Sequence, residues 1–167
     1  MDLGCGPHPR EGFTGVDIRR FPGVSVVHDL TTRWPWKDGS VEEIHSSHCL
    51  EHFTAPQRIH FMNEAYRVLI PSGRCQLIVP HWASCRAYGD LTHQWPPVSE
   101  FWLFYLSKPW REANAPHNDA YTCDFDATLG YTMRQDLGVR NTEYQQFAMA
   151  NYKEACQDLI AQLTRKP

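Results

Sequence analysis

The first half of the chain alternates short apolar runs with polar turns, and this pattern predicts several strands and one long helix. Residues 55–69 carry apolar side chains at helical spacing. Thr54 stands at the N-cap position of this helix, and Pro56 falls in its first turn, where proline is tolerated. Strands are predicted at residues 15–18, 24–27, 41–47 and 76–80.

The second half of the chain is less regular. Residues 121–132 alternate apolar and polar positions and predict another strand. Residues 141–150 are ambiguous. The tail at 158–165 fits a strand with Leu159, Ala161 and Leu163 on one face. A helix with Ala155, Leu159 and Leu163 on one side is also compatible with it.

A glycine turn begins the chain's most informative stretch. Residues 2–7 read D-L-G-C-G-P, and residues 15–18 read G-V-D-I. Glycines let a backbone approach a ligand closely because they have no Cβ and tolerate positive φ. A carboxylate at the end of the following strand, here Asp17, can accept both hydroxyls of a ribose. The two pieces together predict a nucleotide-type pocket.

These two motifs resemble motif I and the acidic strand end of class I S-adenosylmethionine (SAM)-dependent methyltransferases, in the small phage- and bacterial-type, type 11-like form. Three later segments are similar to the same family. They read W-P-W-K-D-G-S at 34–40, S-H-C-L-E-H at 47–52 and R-V-L-I-P-S-G-R at 67–74. The resemblance covers about residues 2–80 with these motifs and continues more weakly to residue 110.

The resemblance implies an α/β fold: a Rossmann-like class I methyltransferase sheet with helices on both faces and a last strand antiparallel to the sixth. Methionine stands directly before Asp2, and Pro7 and Pro9 discourage a helix at residues 8–13. We therefore expect an N-terminally minimal version of the fold. A single domain, residues 1–167, is expected, with residues 81–120 as a substrate-covering insertion.

The resemblance also implies a cofactor, SAM, with S-adenosylhomocysteine as its product. The cofactor-binding residues that it implies are Asp2, Gly4, Cys5, Gly6, Asp17, Ile18, Asp29, Leu30, Ser47 and His48.

The insertion is rich in aromatic side chains, and its residues 89–93, G-D-L-T-H, resemble an element of small relatives. An imidazole titrates near neutral pH, so His93 is the first candidate for a general base and His52 the second. An equally open alternative is that His93 is structural and held by Asp90. Aromatic residues of the helical stretch, Phe101, Phe104 and Tyr105, are expected in the core. Substrate-binding candidates are Trp82, Tyr88, Thr92 and Trp95.

A metal site is the rival interpretation of residues 45–52. If this stretch were helical, His45, His48, Cys49 and His52 would share one face and could bind zinc. Val41 and Ile44 instead fit a strand, so we expect no metal.

Composition narrows the function further. The net charge is −3 at 167 residues, which argues against a surface that follows nucleic-acid phosphates. The six cysteines form no C-x-x-C, as in a reduced, cytoplasmic protein. No apolar run approaches the roughly 20 residues that span a bilayer, so no membrane association is expected. A short central strand would favour a homodimer.

Methyl transfer to an oxygen or nitrogen of a small molecule is the function that these features favour. The fourth strand is not followed by the D/N/S-P-P-aromatic motif of amino methylation in DNA, and no Pro-Cys nucleophile is present. Two alternatives stay open. The chain could be a SAM-binding protein with little transfer activity, or a nucleic-acid methyltransferase that needs a partner.

Overall fold

A seven-stranded mixed sheet runs through the computed structural model, which describes residues 1–167. The strands are β1 (Asp2–Leu3), β2 (Gly15–Asp17), β3 (Val24–Val27), β4 (Val41–Ser47), β5 (Leu69–Pro80), β6 (Phe125–Met133) and β7 (Cys156–Arg165). The helices are α1 (Ala55–Val68), α2 (Arg86–Gly89), α3 (Glu100–Phe104), α4 (Lys108–Asn114), α5 (Gln135–Gly138) and α6 (Thr142–Asn151), and a short 3-10 turn covers Leu50–His52. None of the helices is long and apolar enough to cross a membrane.

The strand order is β3-β2-β1-β4-β5-β7-β6. Strands β1 to β5 are parallel, and β7 is antiparallel to both β5 and β6. Asp2 pairs with Gly15 on one side and with His45 on the other, so β1 lies at the centre of the sheet. The antiparallel last strand is confirmed, and the helical alternative for the tail is wrong. The chain changes direction across the sheet between β1 and β4, where open α/β sheets bind ligands.

One face of the sheet carries the main hydrophobic core. Cys75, Leu77 and Val79 of β5 are buried there and belong to the same core as Phe61 and Met62 of α1. Helix α1 begins as predicted, with Thr54 as N-cap and its amide bonded to the Gln57 side chain at 2.9 Å. The helix therefore closes over β4 and β5, the two strands that it connects.

The opposite face is covered differently, because no helix separates β1 from β2. The loop 8–13 lies there instead. The Arg10 amide donates to Asp2 Oδ2 at 2.7 Å, and the Arg10 guanidinium reaches the Gln76 side chain at 3.1 Å. Phe13 packs edge-on against His45. The helical cover is therefore uneven, with a loop in the place of the first helix, as the two prolines predicted.

The β3–β4 loop is fixed to α1 by a polar network around Trp34. The Trp34 amide donates to Glu64 at 2.6 Å, and Arg67 donates to the Trp34 carbonyl at 3.0 Å and to Glu64 at 2.7 Å. The Trp34 indole N–H donates to the Leu30 carbonyl at 3.1 Å. This network positions Leu30 at the end of β3.

Two expectations about the fold were wrong. Phe101 and Phe104, predicted in the core, are 60% and 51% exposed, whereas Leu103 and Leu106 of the same stretch are buried. The error is one of helical phase, because α3 spans only five residues and gives little periodicity to read. Strand β5 also starts earlier than predicted, at Leu69, which already pairs with Val41 before an irregularity in the register.

Candidate active site at the carboxyl edge of the sheet

The glycine turn after β1 adopts the left-handed backbone that its composition predicts. Gly4 has φ +69° and Gly6 has φ +56°. The Gly4 amide donates to the Val16 carbonyl at 2.8 Å, which fixes the turn to β2. A Cβ on Gly4 would lie 2.3 Å from the Cys49 sulfur, whereas one on Gly6 would meet nothing within 4 Å. Gly4 therefore seats the turn against the end of β4, and Gly6 faces open space.

Asp17 adjoins this turn, as the nucleotide-pocket interpretation requires. Its Oδ2 accepts a hydrogen bond from the Gly6 amide at 2.9 Å, and its Oδ1 accepts one from the Arg19 amide at 2.9 Å. Each carboxylate oxygen has a second lone-pair direction, so both can also accept a ribose hydroxyl. Ile18 is 62% exposed beside Asp17 and offers apolar surface. The residues present therefore fit a nucleoside.

The end of β3 supplies a further acceptor. Asp29 Oδ1 accepts bonds from the Thr31 amide at 2.9 Å and the Thr31 hydroxyl at 2.7 Å, and these bonds lower the pKa of Asp29. Asp29 Oδ2 makes no hydrogen bond and is free to accept one from a ligand amine. Leu30 is buried in the core, so most of its side chain packs inside the protein.

Asp2 has a different environment from the other predicted cofactor residues. Its buried carboxylate accepts the Arg10 amide and lies 2.8 Å from Nδ1 of His45. Both oxygens therefore bond within the fold, and the side chain orders the loop 8–13. Cys5 also bonds locally, since its thiol lies 3.5 Å from the Gly6 carbonyl.

The end of β4 brings Ser47, His48 and Cys49 to the carboxyl edge. His48 has φ +52°, in the left-handed region that is uncommon for residues other than glycine. Burial raises the pKa of the Cys49 thiol to about 12, so this thiol stays protonated at neutral pH. His45 lies within β4 and bonds to Asp2, so the predicted strand is confirmed and the four-residue zinc arrangement on one helical face does not form.

Two residues of the site were not found by sequence reasoning. Asp158 of β7 is buried and accepts two bonds from Arg86 of α2, each 3.1 Å long. His48 Nε2 lies 3.8 Å from Asp158. In the sequence, the only feature that marks Asp158 is that it is a carboxylate within an apolar strand. Its pairing with Pro80 depends on the strand order of the sheet, which the sequence does not show directly.

His52 and His93 come together although 40 residues separate their segments. Their ring centroids are 4.8 Å apart. His52 Nδ1 lies 2.9 Å from the Thr92 hydroxyl, and His93 Nδ1 lies 3.2 Å from the Ala87 carbonyl. Asp90 Oδ1 accepts the amide and hydroxyl of Thr92. Asp90 also holds His93 through the backbone, because the His93 amide donates to the Asp90 carbonyl at 3.1 Å, but the Asp90 carboxylate makes no bond to the imidazole.

Buried Arg58 of α1 joins the two histidine segments. Its guanidinium donates to the carbonyls of Leu50 and Glu51, each at 3.1 Å, on the side of His52. It also donates to the carbonyls of Gln94 at 2.8 Å and Pro96 at 2.5 Å, next to His93. Arg58 and a direct bond from the Gln94 amide to the Glu51 carbonyl, 2.8 Å long, together hold the two segments against each other.

The aromatic substrate candidates line a groove beside this centre. Trp82, Tyr88 and Trp95 border a cleft of about 450 Å³ together with Glu100. Glu100 accepts bonds from the Trp82 indole at 2.9 Å and from His81 at 2.8 Å. The bond from His81 is the main cause that holds the pKa of Glu100 below its usual value. Thr92 does not line this cleft but bonds to His52.

Comparisons with known proteins agree with this geometry. Residues 11–77 match the family model described as a methyltransferase domain. Several solved structures share the fold over most of their length. A SAM-dependent methyltransferase from Archaeoglobus fulgidus aligns with a TM-score of 0.64 at 16% identity, over 91% of this chain and 75% of that chain.

Two further structures extend the likeness. A SAM-dependent methyltransferase from Mesorhizobium loti aligns with a TM-score of 0.54 at 16% identity, over 98% of this chain and 89% of that one. The Burkholderia thailandensis 1,6-didemethyltoxoflavin-N1-methyltransferase, solved with its acceptor and S-adenosylhomocysteine, aligns with a TM-score of 0.60 at 12% identity, over 99% of this chain and 70% of that one. No curated protein sequence matches.

The strand order and the antiparallel last strand agree with the fold of these solved structures. The fold is therefore that of SAM-dependent methyltransferases, and residues 11–77 resemble their methyltransferase domain.

Proposed function

We propose that the protein transfers the methyl group of SAM to an oxygen or nitrogen of a small molecule held in the aromatic groove. The observation that carries this proposal is the order of parts along one edge of the sheet. The glycine turn adjoins Asp17, and Cys49 packs on that turn. His52 follows Cys49 by three residues, and its ring centroid lies 4.8 Å from that of His93. Cofactor residues and candidate proton acceptors are therefore neighbours.

Methyl transfer is an in-line displacement, and SAM supplies an electrophilic methyl group on sulfur. The chain's contribution is to hold the two reactants in line and to exclude water. Asp17 and the Gly6 turn orient the nucleoside. The aromatic groove holds the acceptor flat between Trp82 and its neighbours.

A methyl acceptor whose oxygen or nitrogen carries a hydrogen must also lose a proton. His93 is the first candidate for the base that takes this proton. A carbonyl oxygen can only accept a hydrogen bond, so the contact with Ala87 places the proton of His93 on Nδ1. Its Nε2 lone pair is then free to accept a proton from the acceptor. His52 is the second candidate, at 4.8 Å between ring centroids.

The groove supports a small, partly aromatic acceptor. Its volume of about 450 Å³ falls within the range of small-molecule sites. Glu100 places a carboxylate at its wall, which disfavours a polyanion such as a nucleic acid. The Burkholderia neighbour is crystallised with a small acceptor, so the same fold accommodates one.

Release of S-adenosylhomocysteine during incubation with a panel of small oxygen and nitrogen nucleophiles tests the proposal. Parallel arms contain RNA or DNA. Acceptor-dependent release with a small molecule supports the proposal. Release only with nucleic acid would overturn it in favour of a nucleic-acid methyltransferase, and SAM binding without any release would leave a binding protein.

His93→Ala tests the base. We expect kcat to fall by about 10²–10⁴-fold, the usual contribution of a general base, with SAM affinity unchanged. The matched control is His117→Ala, because His117 is an exposed histidine outside the site. A His93→Ala enzyme that turns over at the full rate would remove the base assignment.

Location and assembly complete the proposal. All six cysteines are free, which supports a reducing cytoplasmic compartment. A homodimer is the proposed assembly, and light scattering of the purified protein tests it.

A further inference from the structure

Glu51 carries a buried carboxylate that the chain leaves without a hydrogen bond. The residue is 5% exposed, and neither side-chain oxygen has a hydrogen-bond partner. His48 Nδ1 lies 3.3 Å from Oε1, close enough for an ion pair, but the two groups are not aligned for a hydrogen bond and the ring is half exposed. A buried carboxylate with no hydrogen bond and only a half-exposed ion-pair partner is costly, so this position is suited to a further cation.

The two neighbouring imidazoles present free lone pairs. His93 donates from Nδ1 to the Ala87 carbonyl, which leaves Nε2 unprotonated in the neutral ring. The Thr92 hydroxyl gives its proton to Asp90 Oδ1 at 2.7 Å, so it accepts from His52 Nδ1. Nε2 of His52 is then also unprotonated. Such a second hydrogen bond, which fixes the ring and its tautomer, is the usual support of a metal-binding histidine.

The three side chains converge. One ligand atom from each of Glu51, His52 and His93 lies within 4.8 Å of the other two. We propose that Glu51, His52 and His93 bind one divalent first-row transition-metal ion beside the cofactor turn. This set differs from the four residues at helical spacing, which share only His52 with it.

The ligand types select the ion. Two imidazoles and one carboxylate suit Zn²⁺, Mn²⁺, Fe²⁺ or Co²⁺ rather than Mg²⁺ or Ca²⁺, which prefer oxygen ligands alone. Bond lengths of about 2.1 Å place neighbouring ligand atoms roughly 3 Å apart, so the side chains close by about 1–2 Å on binding. Arg58 holds the Glu51 carbonyl and the Gln94 carbonyl and so keeps the two segments within this range.

Three protein ligands leave coordination positions open, as in catalytic rather than structural metal sites. On the proposed function, those positions take the oxygen or nitrogen of the methyl acceptor. An acceptor oxygen bound to the ion has a lower pKa and loses its proton to solvent water more readily. In that case the ion replaces His93 as the group that promotes loss of the proton, and His52 and His93 serve as its ligands.

Metal titration of the chelator-treated protein tests the site. Co²⁺ is added while its visible absorption is followed, and Zn²⁺ and Mn²⁺ binding is measured by calorimetry. We expect one equivalent to bind. His52→Ala and His93→Ala should each weaken binding by at least about 10-fold, the lower end of what loss of even a supporting residue costs. His117→Ala should bind as the unsubstituted protein does.

Glu51→Gln distinguishes loss of the carboxylate charge from loss of folding, because glutamine has nearly the same size as glutamate. It should also bind at least about 10-fold more weakly, with a far-ultraviolet spectrum like that of the unsubstituted protein. The metal site would be overturned if the protein bound no stoichiometric metal, or if the two histidine variants bound metal as tightly as the unsubstituted protein does.

The outcomes also separate this inference from the proposed function. One equivalent of metal bound, without methyl transfer to any acceptor, would uphold the site and overturn the function. Full-rate transfer by chelator-treated protein that binds no metal would overturn the site and leave the function, with His93 as the base.

Discussion

Replacing Asp17 by alanine is the most informative single change to the cofactor site. The carboxylate makes two contacts in the structure, one from the Gly6 amide and one from the Arg19 amide, each 2.9 Å long. On the proposed binding mode, it also accepts the two ribose hydroxyls of SAM. Alanine removes all four acceptor positions and leaves the β-sheet itself intact.

The magnitude follows from the number of bonds lost. A hydrogen bond to a charged group contributes about 1.5–3 kcal/mol, so two ribose hydroxyls account for about 3–6 kcal/mol. At about 1.4 kcal/mol for each tenfold change, SAM should bind about 10²–10⁴-fold more weakly. Loss of the Gly6 and Arg19 contacts should lower the free energy of unfolding by about 1–2 kcal/mol, since those amides can turn to water.

Calorimetric titration with SAM and with S-adenosylhomocysteine measures the affinity, and urea unfolding measures the stability. Asp119→Ala is the matched control, because Asp119 is an exposed carboxylate outside the site. Asp17→Asn should give an intermediate loss, since one acceptor oxygen remains. Unchanged SAM affinity in a folded Asp17→Ala protein would refute the pocket assignment.

Two further predictions concern stability. Gly4→Ala should lower the free energy of unfolding, measured by urea denaturation, by about 2–5 kcal/mol. The alanine would have a strained left-handed backbone, and its Cβ would lie 2.3 Å from the Cys49 sulfur. A change below about 0.5 kcal/mol would contradict that packing. Burial raises the pKa of Glu64, but the bonds from Arg67 and the Trp34 amide outweigh it, and the net pKa lies below its usual value. The ionised Glu64 therefore stabilises the fold above about pH 4.5, and this contribution is lost as the pH falls through the lowered pKa. Glu64→Gln should cost about 2 kcal/mol at pH 7 and progressively less below pH 4.5 in chemical unfolding, and a pH-independent difference would contradict this.

The sequence predicted the parts of the fold that depend on local patterns. Thr54 and the apolar spacing that follows it mark the start of α1, although the helix ends at Val68 and not at the predicted residue 69. The apolar positions of 41–47 mark β4 with the bounds that the structure has. The glycine turn and Asp17 were predicted as neighbours because their motif is short and their roles are chemically specific. The 2.9 Å bond from the Gly6 amide to Asp17 places them together.

Other features of the fold and the site depend on contacts between distant parts of the chain, and local sequence patterns do not predict them. The prediction that Phe101 and Phe104 are buried was wrong because tertiary packing decides which face of α3 contacts the core. That face carries Leu103. Asp158 reaches the site only through antiparallel pairing with β5. The Glu51 carboxylate is buried without a hydrogen bond, and it lies near His52 and His93. Neither fact can be predicted from the sequence, because both depend on how the loop that carries His93 folds against Glu51.

A crystal structure with bound S-adenosylhomocysteine tests the central claim most directly. The account predicts that both ribose hydroxyls lie within hydrogen-bond distance of the Asp17 carboxylate. It also predicts that the amino-acid end of the ligand points past Gly4 toward His48 and Glu51. A nucleoside bound elsewhere on the sheet, or ribose hydroxyls out of reach of Asp17, would contradict it.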